Sequence, residues 1–158
     1  MTKSLKILIT GVAGFLGSHL AEKLAYLGND VVGIDNMQGG YEDNVPKNIK
    51  FHKMDCCDLK KMNDVMKGVN VVYHCAATAH EGLSVFSPYE IGKNNYLASL
   101  SVFSAAVSKK VKRIIFCSSM ARYGSQEYPF TETMKPKPVD PYAISKVAAE
   151  QVLINLCE

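Results

Sequence analysis

The sequence lacks the runs and motifs that mark several classes of protein. No apolar run approaches the roughly 18 residues needed to span a bilayer, and residues 1–10 are too short a stretch before Gly11 to form a secretory signal. The five cysteines include no CxxC pair, and their spacing matches no usual zinc-ligand pattern. We therefore expect a reduced, cytoplasmic protein with no metal site and no membrane partner.

Charge of one sign is also missing. The 18 basic and 15 acidic residues give a net charge of +3. The densest basic cluster, Lys109–Lys110–Val111–Lys112–Arg113, is more typical of a solvated helix end than of a nucleic-acid surface, so we expect no nucleic-acid partner. The 158 residues are 47% hydrophobic, without repeats or low-complexity tracts, which predicts one globular domain over 1–158 and no second domain.

Short apolar runs alternate with helical patterns along the chain. The runs predict strands at 5–9, 31–34, 49–54, 69–75 and 113–117, and helices at 14–27, 59–67, 88–108 and 141 to the end, with loops at 76–87 and 124–139. Asp140 and Pro141 are the expected N-cap and first residue of the last helix. Continuous apolar strands separated by helices favour an α/β fold, a doubly wound parallel sheet (Rossmann) with strand order 3-2-1-4-5.

Three glycines follow the first predicted strand and open the first predicted helix. Gly11, Gly14 and Gly17 have the spacing G-x-x-G-x-x-G. Glycines at such a turn let backbone N–H groups approach a pyrophosphate, and the helix N-terminus adds partial positive charge. Because glycine triplets alone are weak evidence, the strand–turn–helix context carries the prediction of a dinucleotide site.

An aspartate ends the second predicted strand. The Asp35 carboxylate could accept both ribose hydroxyls of an adenosine, and it would repel a 2′-phosphate. Asn36 offers no compensating cation. NAD is therefore predicted in preference to NADP, and an NADP-linked reductase on the same scaffold is disfavoured.

A tyrosine and a lysine lie one helical turn apart near the end of the chain. Tyr142 and Lys146 share a helix face, and Ser119 follows the fifth strand at the sheet edge where ligands bind. A free tyrosine is protonated at neutral pH and needs a nearby cation to act as a base. A YxxxK pair alone is common on helix surfaces, but with the glycine turn and the serine it indicates a catalytic set.

These motifs occur in one order: T-G-x-x-G-F-L-G, Asp35–Asn36, Asp55, His74–Cys75–Ala76–Ala77, Asn95, Ser118–Ser119 and Tyr142-x-x-x-Lys146. The whole chain resembles the N-terminal part of the extended short-chain dehydrogenase/reductase superfamily, and within it the NAD-dependent nucleotide-sugar epimerase/dehydratase family.

The resemblance implies NAD as cofactor and a nucleotide-sugar, expected to be UDP-linked, as substrate. It implies catalytic roles for Ser119, Tyr142 and Lys146, with Tyr142 taking a proton from a sugar hydroxyl while hydride passes to NAD, and back in an epimerase. The implied cofactor-binding residues are Gly11, Gly14, Phe15, Leu16 and Gly17 at the pyrophosphate, Asp35 and Asn36 near the ribose, and Asp55 and Cys56 at the adenine ring. Ala76, Ala77 and Thr78 are implied to line the middle of the cofactor. Asn95 is implied to be structural or adjacent to the cofactor, and Tyr142 and Lys146 are implied to bind it as well.

The residues after Ser119 separate the subclasses of this family. The resembling 4,6-dehydratases have an Asp-Glu pair where this chain has Met120–Ala121, so epimerisation is favoured over dehydration. Arg122 departs from the small apolar residue usual there, and a position facing solvent is favoured over substrate binding. His80 and Glu81 lie near the expected substrate mouth, where a loop-surface role is favoured over binding a sugar hydroxyl.

The family's sixth strand and C-terminal substrate lobe are not matched in this chain. We therefore expect a truncated Rossmann domain, and a non-catalytic NAD-binding or regulatory module, or an inactive fragment, stays open as the alternative to an active epimerase. Helices 88–108 and 141–157 are apolar around more than one face, which favours a homodimer through these helices over burial between sheet and neighbouring helices of one chain.

Overall fold

The computed structural model describes residues 4–157, and within them one sheet of parallel strands forms the centre of the molecule. The strands are β1 (Lys6–Thr10), β2 (Asp30–Asp35), β3 (Lys50–Lys53), β4 (Val71–His74) and β5 (Arg113–Phe116). Their order is β3-β2-β1-β4-β5, which confirms the predicted doubly wound fold. In β1, Ile7 pairs with Val31 on one side and with Val71 on the other.

The helices that cover the sheet are α1 (Phe15–Tyr26), α2 (Leu59–Val65), α3 (Pro88–Ile91), α4 (Ala98–Ser108) and α5 (Pro141–Cys157). Asp140 caps α5 as predicted, because its Oδ1 accepts the N–H of Ala143 at 2.8 Å. None of the helices within 4–157 is long and apolar enough to cross a membrane.

The prediction of one regular helix over 88–108 was wrong in detail. A π-helical stretch, Gly92–Leu97, separates α3 from α4. The observed strands begin and end within two residues of the predicted ones. A 3-10 turn at Ser84–Phe86 lies within the predicted loop 76–87, and another at Met120–Tyr123 follows β5. The extra residue that a π-turn accommodates shifts the helix face presented to the rest of the protein.

Side chains alternate between the two faces of the sheet along each strand, and helices pack on both faces. Leu8 of β1 belongs to a core with Met62 of α2 and Phe103 of α4. Ile7 and Ile9 point to the opposite face, where the core includes residues of α1. Because all five strands are parallel, their carboxyl ends meet at one edge of the sheet, and α1, α4 and α5 surround this edge.

Candidate functional site

The turn between β1 and α1 holds its glycines in close backbone contact. Gly11 has a φ of 72°, and a Cβ there would lie 2.8 Å from the backbone nitrogen of Ala76. A Cβ on Gly17 would lie 2.1 Å from the carbonyl oxygen of Gly11, whereas a Cβ on Gly14 would lie 3.3 Å from it. Side chains at Gly11 and Gly17 would break the turn. The turn thus exposes bare backbone at the N-terminus of a long helix, where an anion is favoured.

The carboxylate of Asp35 is held at the end of β2. Its Oδ2 accepts the N–H of Ala13 at 3.0 Å, and its Oδ1 accepts the N–H of Met37 at 2.8 Å. Each carboxylate oxygen has about two acceptor sites, so one on each oxygen stays available for a ligand hydroxyl. The carboxylate therefore links the glycine turn to the β2 end and can still receive a diol.

A cleft of about 470 Å³ opens at this edge, a volume within the usual range for small-ligand sites. The predicted cofactor residues that line it are Gly11, Gly14, Asp35, Asn36, Asp55, Cys56, Ala76, Ala77 and Thr78. The cleft thus joins the glycine turn to the β2 carboxylate and to the loop after β4, as a dinucleotide's adenosine and pyrophosphate would require.

The other predicted cofactor residues, Phe15, Leu16, Gly17, Asn95, Tyr142 and Lys146, lie outside the cleft lining. Phe15 is 82% exposed and Leu16 is 48% exposed at the start of α1. Gly17 is buried beneath the turn. The side chains of Phe15 and Leu16 are thus free to approach a ligand, while Gly17 acts through backbone packing.

Asn95 is buried and orients the segment after β4. Its Oδ1 accepts the N–H of Thr78 at 2.7 Å, and its Nδ2 donates to the Thr78 carbonyl at 3.3 Å. Its neighbour Asn94 lines the cleft instead and donates to the Thr78 hydroxyl at 3.1 Å. Both asparagines lie in the π-helical stretch. Asn95 is therefore a positioning residue in this structure, and Asn94 is the one that faces the cleft.

A buried histidine completes a chain of hydrogen bonds behind the same segment. Ser99 Oγ donates to the Asn95 carbonyl, so it accepts from His74 Nε2 at 3.0 Å. His74 Nδ1 then accepts from the Thr10 hydroxyl at 2.7 Å, and Thr10 Oγ1 accepts the Ala76 N–H at 3.0 Å. Burial, and secondarily the Lys146 charge, lowers the pKa of His74 to about 3. The imidazole is neutral, and it holds the Thr10 hydroxyl that accepts the Ala76 N–H and the Ser99 hydroxyl that donates to the Asn95 carbonyl.

Lys146 projects from α5 to the end of β5. Only 3% exposed, its Nζ donates to the Cys117 carbonyl at 2.9 Å and lies 4.9 Å from the centre of the Phe116 ring. Burial lowers the pKa of Lys146 to about 8, against the opposing effect of nearby Cys117, Cys75 and Glu150. At neutral pH the ammonium is therefore mostly charged, in a place poor in water.

Tyr142 begins the same helix one turn earlier. The Lys146 Nζ lies 6.0 Å from the centre of its ring, and the ring packs with Ile91 and Ala121. Ser119 lies two residues before Ala121 and caps the 3-10 turn, its Oγ accepting the Ala121 N–H at 3.2 Å. The structure therefore brings the elements that carry Ser119, Tyr142 and Lys146 to one corner of the sheet edge.

Arg122 does not simply face solvent, as the sequence suggested. Its guanidinium pairs with Glu150 at 3.1 Å in a half-buried contact and lies over the Tyr123 ring. The ion pair ties the turn after Ser119 to α5. His80 is exposed but lines the cleft mouth, whereas Glu81 is exposed and is not among the lining residues.

Sequence reasoning missed several residues of the cleft lining: Gln38, Gly39, Gly40, Met54, Cys75, Ala79, Asn94 and Ala98. The two consecutive glycines at 39 and 40 were a usable signal in the sequence, because glycine is common where backbone approaches closely. In the structure, a Cβ on Gly40 would lie 2.6 Å from the Cβ of Ala13. The loop after β2 therefore closes against the glycine turn. Among residues 4–157, no group of three or more His, Cys, Asp or Glu side chains could hold a metal ion.

The sequence matches the NAD dependent epimerase/dehydratase family over residues 7–158. It is 34% identical over 152 residues to a UDP-glucose 4-epimerase of Streptomyces lividans, covering 94% of this chain and 46% of that protein. The chain thus spans about half the length of the curated relatives it matches.

Solved structures agree with that match. The UDP-glucose 4-epimerase of Thermotoga maritima, crystallised with UDP-glucose, superposes with a TM-score of 0.92 at 32% identity, covering 97% of this chain and 51% of that one. The Thermus thermophilus UDP-glucose 4-epimerase in complex with NAD gives a TM-score of 0.91 at 34% identity, covering 96% and 50%. Sequence, sheet order and glycine turn agree, and the chain belongs to the NAD dependent epimerase/dehydratase family.

Proposed function

We propose that this chain is the NAD-binding and proton-transferring part of a UDP-sugar 4-epimerase. The single observation that carries the proposal is the corner where Tyr142, Lys146 and the Ser119 turn meet beside the cleft. Burying an ammonium, here within 6.0 Å of a tyrosine ring, costs free energy, and titratable groups perturbed in this way are concentrated at binding and catalytic sites.

The residues of the cleft fit NAD. The glycine turn offers backbone without side chains to a pyrophosphate, and the Asp35 carboxylate keeps free acceptor sites for a ribose diol. A carboxylate in that place disfavours a 2′-phosphate, and the lining residues, all drawn from the described range 4–157, include no lysine or arginine to offset it. We therefore propose NAD rather than NADP as the ligand.

Each catalytic residue has a distinct role in this proposal. Bound NAD supplies the acceptor and donor of hydride. Tyr142 takes the proton from the sugar hydroxyl oxygen and later returns it. The Lys146 ammonium favours the phenolate form by its charge and can hold the nicotinamide ribose, and Ser119 donates to the reacting oxygen once its hydroxyl turns to the substrate.

Epimerisation is proposed over dehydration. The turn after Ser119 presents Met120, exposed, and Ala121, packed against Tyr142. Neither can serve as the acid or base of an elimination. The Thermotoga and Streptomyces relatives are both UDP-glucose 4-epimerases, which supports the same choice.

Assembly as a homodimer in the cytoplasm is part of the proposal. Apolar side chains stay exposed on both helices predicted to form the interface: Leu97 and Val107 beside or on α4, and Ile144, Ile154 and Leu156 on α5. All five cysteines are free thiols, as expected in a reducing compartment. Light scattering of the purified protein tests the dimer.

Two assays test the function. Calorimetry should give binding of NAD and much weaker binding of NADP. Conversion of UDP-glucose to UDP-galactose should then depend on Tyr142: Tyr142→Phe should lower kcat by a factor of about 10² or more, while calorimetry should still detect NAD binding. Tyr26→Phe, an exposed tyrosine of α1, is the matched control. Absence of dinucleotide binding contradicts the proposal, whereas NAD binding without turnover favours a non-catalytic NAD-binding module.

A further inference from the structure

Two cysteines meet at the sheet edge, at the wall of the cleft. Cys75 and Cys117 directly follow His74 and Phe116, which are paired residues of β4 and β5. The N–H of Cys117 donates to the His74 carbonyl at 3.1 Å, so the two strands are still in register there. The Sγ atoms of Cys75 and Cys117 are 3.6 Å apart. None of the roles assigned above uses these thiols.

We propose that Cys75 and Cys117 are an oxidisable dithiol that peroxides convert to an intramolecular disulfide.

The distances allow this bond with little movement. Adjacent strands lie about 4.8 Å apart, which is inside the Cα separation of about 4.4–6.8 Å that disulfides span. Closing the sulfurs from 3.6 Å to the bonded length of about 2.05 Å requires side-chain rotation and a small strand adjustment. The other three cysteines show no sulfur–sulfur contact within the described residues, and Cys56 and Cys57 are adjacent in sequence.

The surroundings make Cys117 the attacking thiol of the pair. Both thiols are partly exposed and Cys75 lines the cleft, so a small oxidant can reach the two sulfurs from solvent. The hydrogen bond to Cys117, and then burial, raise the pKa of Cys75. A hydrogen bond from the Cys75 thiol stabilises the Cys117 thiolate and is the main reason that the pKa of Cys117 is lowered. The charge of the Lys146 ammonium lowers this pKa further, whereas burial raises it. Burial raises the pKa of Cys56 to about 12 and that of Cys57 to about 11. Thiolate is the nucleophile in such chemistry, so Cys117 attacks first.

The reaction balances with hydrogen peroxide as the oxidant. The Cys117 thiolate attacks one peroxide oxygen, the O–O bond breaks, and the departing hydroxide takes a proton to become water, leaving a sulfenic acid on Cys117. The Cys75 sulfur then attacks the Cys117 sulfur. The S–O bond breaks and the second hydroxide leaves as water with the proton of Cys75. Two thiols and one peroxide give one disulfide and two waters.

Peptide mass mapping tests the proposal on the whole protein. After about one equivalent of hydrogen peroxide, trypsin should release the peptides 68–93 and 114–122 joined, with a mass about 2 Da below the sum of the two. Dithiothreitol should separate them, and titratable thiols should fall from five to three. A Cys57→Ser variant should give the same joined peptides, with titratable thiols falling from four to two.

Two variants separate the steps. Cys75→Ser should stop at a sulfenic acid on Cys117 that dimedone labels, and Cys117→Ser should give no joined peptide. The proposal is overturned if peroxide leaves the two peptides separate while Cys117 becomes sulfinic acid, or if the joined peptides instead contain Cys56, Cys57 or Cys157.

Discussion

Replacing His74 by phenylalanine should remove a component of the protein's acid sensitivity. The imidazole is fully buried between Thr10 and Ser99, in contact with the Phe103 and Phe116 rings. Its neutral form satisfies both hydroxyls, and burial lowers its pKa from 6.5 to about 3. The folded state thus excludes a proton that the unfolded chain binds.

The difference in the pKa of His74 between the folded and unfolded states determines how the free energy of unfolding changes with pH. Above pH 6.5 both states hold the histidine neutral, and its contribution to stability is complete. As the pH falls from 6.5 towards 3, the unfolded state gains a proton that the folded state does not, so the free energy of unfolding falls by about 1.4 kcal/mol per pH unit. The loss reaches about 2 kcal/mol at about pH 5.

Urea denaturation at several pH values between about 8 and 5 measures this slope. His74→Phe should be less stable at pH 8 by about 1–3 kcal/mol, because two buried hydroxyls lose a partner, yet its stability should fall less steeply with acid. His52 also has a lowered pKa, mainly from partial burial, so His52→Gln is the matched control and should keep most of the wild-type slope. Parallel curves for His74→Phe and the wild type would refute a neutral buried histidine.

Two further substitutions test the backbone of the cleft. Gly17→Ala would place a Cβ 2.1 Å from the Gly11 carbonyl oxygen, so it should lower the free energy of unfolding by about 3 kcal/mol or more and abolish NAD binding in calorimetry. Gly82→Ala, where no atom lies within 4 Å of the added Cβ, is the control and should leave stability unchanged. Equal melting temperatures for the two variants would contradict the close approach at Gly17. Asn95→Ala frees the Thr78 backbone and should cost about 1–3 kcal/mol in urea denaturation with weaker NAD binding, and NAD binding unchanged despite lost stability would exclude the positioning role.

The sheet order could be predicted from sequence because each strand is a short apolar run with a helical pattern after it. The glycine turn and Asp35 were likewise readable, since their side chains or lack of them act close to their own position in the chain. The roles of residues whose contacts lie far away in the sequence were harder to predict. Nothing near Arg122 indicates its pairing with Glu150, so the sequence favoured solvent, and the ion pair emerges only when α5 packs beside the turn after β5.

The π-helical stretch shows a second kind of limit. A regular helix over 88–108 fits the apolar spacing, and it would place Asn94 and Asn95 about 100° apart around the axis. In the structure both reach Thr78, Asn94 from the cleft and Asn95 from the interior. These hydrogen bonds connect the π-helical stretch to the segment after β4, and they are tertiary contacts that apolar spacing does not indicate. The family motif pointed to Asn95, and only the fold distinguishes Asn94, which faces the cleft, from Asn95, which positions Thr78.

The cysteine pair lies between these cases. Strand order 3-2-1-4-5 makes β4 and β5 neighbours, and Cys75 and Cys117 each follow the last residue of their strand, so their proximity was implicit in the predicted topology. Topology alone does not determine the side of the sheet to which each side chain points, because successive residues alternate. A shift of one residue in the pairing of His74 with Phe116 would put the two sulfurs out of register. The contact at 3.6 Å is thus a consequence of register, the property that the sequence pattern of a strand buried on both faces specifies least.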